Sequence, residues 1–99
     1  MPGMTKETVV RTILASVGRG GLNRSEDVRL VQELLNRHIR APQPPLVVNG
    51  VVDSRTVAAI EAFQRHVVHM HRPDGRVEPG SHTFAALASQ AEQPSTPHQ

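Results

Sequence analysis

The chain contains no cysteine, no tyrosine and no tryptophan, and only two phenylalanines. Without thiols, disulfide frameworks, thiolate zinc sites and cysteine nucleophiles are excluded. With aromatic rings so scarce, the sequence offers little on which sugars or nucleobases could stack. Long apolar runs are missing as well, and nothing approaches the ~18 consecutive apolar residues of a membrane span. At the N-terminus, Glu7, Thr8, Arg11 and Thr12 interrupt the stretch where a signal peptide would carry its apolar core, so no secretory signal is expected. Lysine is nearly absent: Lys6 stands beside ten arginines. The net charge is only +2, so the isoelectric point near 10.4 reflects arginine usage rather than a strong positive field. Bulk attraction to nucleic acid or to a membrane surface is not expected.

What is present fits one domain. Ninety-nine residues, of which 37% are apolar, suffice for a single modest core. Val9, Val10, Ile13, Leu14 and Val17 recur at helical spacing, which predicts a helix over 5–17 that stops at Gly18. Gly18-Arg19-Gly20-Gly21 reads as a flexible connector, since the residues of a phosphate loop are not there. Ser25-Glu26-Asp27 opens a second helix with a cap and an acidic first turn. Its stripe is Val28, Val31, Leu34, Leu35 and Ile39, and Ala41-Pro42-Gln43-Pro44-Pro45 ends it. Leu46-Val47-Val48 is a short extended run, and Asp53 or Ser54 caps a third helix lined by Val57, Ile60, Phe63 and Val67. That helix fades through His69-Met70-His71. Ser81 caps a last helix carrying Phe84 and Leu87, and from Gln90 the text is polar and Pro-rich, as in a linker or frayed terminus. The expected division is a helical extension over 1–17, a folded domain over 18–89 and a tail over 90–99.

An internal echo runs through this pattern. Asn49-Gly50-Val51-Val52-Asp53 precedes Thr56 and a helix, and Asp74-Gly75-Arg76-Val77-Glu78 precedes Thr83 and a helix. Two such units fall short of the about three that a repeat array needs, so they form a pseudo-repeat inside one domain.

The residues Val28-x-x-Val31-Gln32-x-x-Leu35-Asn36, Asn49-Gly50-Val51-Val52, Thr56-x-x-Ala59-Ile60-x-x-Phe63-Gln64, Asp74-Gly75-Arg76-Val77 and Thr83-x-x-Ala86-Leu87 together resemble the peptidoglycan-binding domain family. The resemblance implies an all-α fold, a compact three-helix bundle with short turn-rich connections, here with an additional N-terminal helix. It implies a non-catalytic module that targets an attached or associated protein to the cell wall, such as a secreted effector or a wall hydrolase. The opening Val17-Gly18-Arg19-Gly20-Gly21-Leu22-Asn23 is similar to a subgroup associated with type VI secretion effectors. That similarity implies synthesis in the cytoplasm and export by a specialised secretion system to the periplasm or wall. Two positions depart from the family: Asn49 where Asp is frequent, and Asp53 where Gly is frequent. Asn49 keeps the turn and loses a carboxylate.

Arg55, Arg72 and Arg76 lie at the start of the third helix and around the second turn. If the two units pack side by side, these cations converge on a shallow groove. Arginine's planar fork pairs with carboxylates, which peptidoglycan stem peptides carry on Glu, diaminopimelate and terminal Ala. Without Trp or Tyr, stem peptide is expected ahead of glycan as the ligand. The expected ligand-binding residues are Asn49, Arg55, Gln64, Arg72, Asp74 and Arg76, with Gln64 either lining the groove or bonding a loop backbone. His66 and His69 share a helix face, as two zinc ligands would. The missing third ligand and the position at a helix end favour a dipole-complementing role, and neither metal nor cofactor is expected. No nucleophile or acid–base motif is present, so enzymatic activity is not expected. A monomer is expected. The alternative reading is a docking domain that seats an effector on a secretion-spike protein through an apolar patch near Val9 and Ile13.

Overall fold

The stripe that opens at Val28 forms the central helix of the molecule. In the computed structural model, which describes residues 11–92, helix α1 spans Ser25–Asn36, and helix α2 spans Ser54–Phe63 and continues as a π-helical turn over Gln64–Val68. Helix α3 spans His82–Glu92. Strands β1 (Val17–Gly18) and β2 (Arg76–Val77) pair antiparallel, Val17 opposite Val77 and Gly18 opposite Arg76. The fold is therefore three helices with a minimal two-stranded ladder. Helix α1 packs against both α2 and α3. Val28, Val31 and Leu35 of α1 meet Ile60 and Phe63 of α2 and Leu87 of α3 in one core.

The helix expected over 5–17 is corrected in its described part: residues 11–16 are irregular and Val17 is in a strand. Residues 5–10 of that expectation lie outside the described residues. The reason is tertiary. Asp27, buried in the first turn of α1, accepts hydrogen bonds from Leu14 N–H (Oδ1, 3.0 Å) and Ala15 N–H (Oδ2, 3.0 Å). Ile13 and Val17 enter the core, and the Val17 backbone takes its partner from β2 instead of from a helix turn. Replacing Asp27 with alanine strands both N–H groups, for an expected loss of about 1 to 3 kcal/mol. Hydrogen exchange checks this: protection at Leu14 and Ala15 falls far more than at Leu35.

The Gly18–Gly21 segment is a tied loop, not a loose connector. Asn23, in the left-handed region (φ 56°), accepts from Gly18 N–H at 2.7 Å through Oδ1 and donates to the Gly18 and Gly21 carbonyls. Arg19 N–H donates to the Gly75 carbonyl at 2.9 Å. This brings β1 so close to the second turn that a Cβ on Gly18 would lie 2.1 Å from the Gly75 oxygen. Only glycine fits there.

Helix ends follow local chemistry only in part; the cap expected at Ser25 is not formed, because α1 begins at Ser25 itself and its N-cap, Arg24, makes no side-chain hydrogen bond. Asp53 caps α2 by accepting from Thr56 N–H at 2.9 Å, and Ser81 Oγ accepts from Phe84 N–H at 3.1 Å. Helix α1 stops at Asn36, short of Ile39, because the Asn36 side chain holds the return strand of chain: Leu46 N–H donates to its Oδ1 at 2.7 Å and its Nδ2 donates to the Leu46 carbonyl at 3.0 Å. Helix α2 ends at Val68, where His69 turns left-handed (φ 65°) and Met70 N–H reaches back to the Gln64 carbonyl. Helix α3 runs on to Glu92, and residues 93–99 of the expected tail lie outside the described residues.

Candidate functional site

Two glutamines, each on a buried helix face, build the two turns from within. Gln32 is 1% exposed. Its Oε1 accepts from the N–H groups of Asn49 and Gly50, both at 3.0 Å, and its Nε2 donates to the Val51 carbonyl at 3.0 Å and to Thr56 Oγ1 at 3.3 Å. Gln64 repeats this on the second turn. Its Oε1 accepts from Gly75 N–H at 2.9 Å, and its Nε2 donates to Asp74 Oδ1 at 2.8 Å, the Arg76 carbonyl at 3.0 Å and Thr83 Oγ1 at 3.2 Å. The first residue of each turn then closes it: Asn49 Oδ1 accepts from Val51 N–H at 3.0 Å, and Asp74 Oδ1 from Arg76 N–H at 3.1 Å. The echo in the sequence is thus a pair of glutamine-anchored Asx turns, each feeding the helix that follows.

This geometry places the six expected ligand residues. Gln64, the open alternative, bonds the loop backbone. Asn49, Gln64 and Asp74 all have side-chain atoms committed to the turns. Gln64, Asp74 and Arg76 come together at a polar hollow of about 340 Å³ beside Glu78 and His82. There Arg76 Nε lies 2.8 Å from Glu78 Oε2, an ion pair by distance in which Nε makes no hydrogen bond of good geometry. Arg55 does not join them; it lines a different and larger cleft. Arg72 is exposed and lines neither. Arg55, Arg72 and Arg76 therefore do not converge on one groove: Arg55 and Arg76 line separate hollows and Arg72 lines neither.

The larger cleft, about 460 Å³, runs along one face of α2 opposite the segment that returns from α1. Leu35, Ile39, Leu46, Phe63 and Val67 form its apolar floor, and Ala58, Ala59 and Ala62 keep its α2 wall low. Its polar lining is Arg55, His66, His38 and Gln43, with no carboxylate among the residues that line it. His38 stands edge-on to the Phe63 ring, centroids 4.8 Å apart at 63°. Its Nε2 is enclosed and has no hydrogen-bond partner. Apolar spacing predicts Phe63 in the core, and no sequence motif marks His38. The alanines at 58, 59 and 62, on the same face as Arg55 and Phe63, were the signal that this face is open.

Among the described residues, three carboxyl and imidazole groups are shifted. Burial, with the Arg40 charge second, lowers the His38 pKa from 6.5. The Thr56 backbone and hydroxyl hydrogen bonds hold Asp53 below 3.8. For Asp74, burial pushes upward, but the Gln64 and Arg76 hydrogen bonds and the Arg76 charge outweigh it, and the net shift is downward from 3.8. The consequences have definite sign. Below pH 6.5 the unfolded chain binds a proton at His38 more readily than the folded one, so stability falls as the pH drops from that value. Urea midpoints measured at pH 7.5 and 5.5 should show this fall, and His38→Phe should flatten it. The Asp53 and Asp74 contributions are present at both values and are lost only at more acid pH.

Among the described residues, no group of three or more His, Asp or Glu side chains is arranged to hold a metal ion. No helix among them is long and apolar enough to cross a membrane. The architecture so defined is a small helical domain made of two turn–helix units around a central helix, with open surface clefts. The chain belongs to the peptidoglycan binding domain family, whose model matches residues 24–87, from the residue before α1 into α3. Domains of this family are typically non-catalytic. No curated protein and no solved structure matches the chain.

Proposed function

We propose that this protein is a non-catalytic module that binds peptidoglycan and holds an attached or associated protein, a secreted effector or a wall hydrolase, at the murein. The family match over residues 24–87, which takes in both glutamine-anchored turns, carries this reading. Open clefts this shallow bury little ligand, so affinity on the order of micromolar to millimolar is expected. Weak binding still raises the local concentration of whatever is attached. Export by a specialised secretion system, with action in the periplasm or wall, belongs to the same proposal and rests on the loop sequence at Val17–Asn23. The scarcity of aromatic rings favours stem peptide over glycan. The docking alternative located its apolar patch near Val9 and Ile13; Ile13 is 2% exposed and belongs to the core, and Val9 lies outside the described residues.

Co-sedimentation with purified insoluble sacculi tests the proposal. The protein is expected to pellet with intact sacculi and to stay in the supernatant with sacculi whose stem peptides an amidase has removed. Absence from both pellets removes the reading, and equal retention on both transfers recognition to the glycan.

A further inference from the structure

The cleft along α2 has a polarity that a purely structural crevice does not need. Arg55, Ala58, Ala59, Ala62, Phe63, His66 and Val67 recur on one face of a single helix and its π-helical continuation, and all of them line the cleft. At one end stands the guanidinium of Arg55, at the other the exposed imidazole of His66. Eleven positions along a helix place these ends about 16 Å apart. The wall between them is alanine, and the floor is Leu46 and Phe63. No acidic side chain lines the cleft, and His38 Nε2, enclosed in its wall, has no partner within the protein.

We propose that this cleft takes an extended peptide of about four or five residues, with a free carboxylate on Arg55 and small apolar side chains over the alanine wall. The inference rests on the peptidoglycan reading and assigns the stem peptide to a particular place. A stem peptide has this chemistry: it is four or five residues long, rich in alanine, and anionic at its C-terminus and at its glutamate. A carboxylate pairs with a guanidinium in bidentate fashion; the cleft lining itself holds no acid, and the capping Asp53, which feels the Arg55 charge, lies outside that lining and is engaged by Thr56. Alanyl methyl groups suit a cleft whose own α2 wall is alanine. The hollow at Asp74 and Arg76 offers a poorer match, since two carboxylates, Asp74 and Glu78, line it beside Arg76.

The test uses the full chain and two variants of exposed cleft residues, Arg55→Gln and Ala62→Phe, each checked for unchanged helical circular dichroism. The probe is the tetrapeptide released from sacculi by amidase, titrated into nitrogen-15-labelled protein, alongside the same peptide with its C-terminal carboxylate amidated. For the parent, the amide shifts are expected to cluster at Arg55, Ala58, Ala62 and His66. Arg55→Gln and amidation should each weaken binding about tenfold, and together no more than either alone, because they remove the same pair. Ala62→Phe fills the cleft and should abolish the shifts. If the shifts instead centre on Asp74 to Glu78, or both variants bind like the parent, this assignment is overturned. Sacculus retention of the parent separates the two levels. Retention with variants unaffected sinks only the cleft, whereas a parent that is not retained sinks the peptidoglycan reading and the cleft with it.

Discussion

Phe63→Ala is expected to destabilise the protein by about 3 to 5 kcal/mol, the usual cost of emptying a buried phenylalanine site. Phe63 is 4% exposed, sits where α2 meets the core, and supports the His38 ring at 4.8 Å. The cavity would merge with the cleft that Phe63 already floors, so neighbouring side chains have little means of closing it. Total stability for a domain is about 5 to 15 kcal/mol, and a small one lies near the lower end, so the variant is expected to be largely unfolded at 37 °C by the standards of such domains. Urea melts check the value. A loss below about 1 kcal/mol would mean that Phe63 contributes cleft surface and little core.

Gln64→Glu is the second substitution with a large expected effect, about 2 to 4 kcal/mol at neutral pH. The change is nearly isosteric, so packing does not cause the loss. One carboxylate oxygen can still accept from Gly75 N–H. The other replaces Nε2 and faces Asp74 Oδ1, at 2.8 Å in the parent, and the Arg76 carbonyl, at 3.0 Å. An acceptor then meets two acceptors, one of them charged. Repulsion from Asp74 raises the folded-state pKa of the new carboxyl, so its penalty is absent at acid pH and grows as the pH rises through that value. The gap between variant and parent should narrow between pH 7.5 and 5, because a shared proton restores a donor. A gap that stays constant with pH would show that Gln64 acts by shape alone. Gln32→Glu should lose stability for the same reason, without a charged partner and so with a weaker dependence on pH.

The contrast between these two sites shows what the sequence made legible. Apolar spacing on α1 and α2 placed Val28, Val31, Ile60 and Phe63 in the core correctly, because helix period and burial coincide there. The turns at Asn49-Gly50 and Asp74-Gly75 and the caps at Asp53 and Ser81 were also legible, since each rests on chemistry within four residues. Long-range polar bonds were not. Gln32 and Gln64 reach 17 to 19 and 10 to 12 residues to their turns, and no local rule assigns a buried amide. The echo held a sign of it, because each unit is a glutamine, then Asx-Gly, then threonine. The N-terminal segment misled for the opposite reason: Ile13 and Val17 have helical spacing, but Asp27 and Val77 supply better partners than a helix would. At the candidate site, the arginines were visible as residue types, while their separation depended on how the units pack around α1.

The central claim is that this domain binds peptidoglycan, and the most direct measurement is a titration of labelled protein with a soluble disaccharide-peptide fragment of it, followed by amide chemical shifts. Saturable shifts are predicted, with a dissociation constant on the order of micromolar to millimolar, confined to a contiguous surface of the described residues and absent with the disaccharide alone. No shift at a fragment concentration of about 10 mM, with the protein folded, would contradict the account.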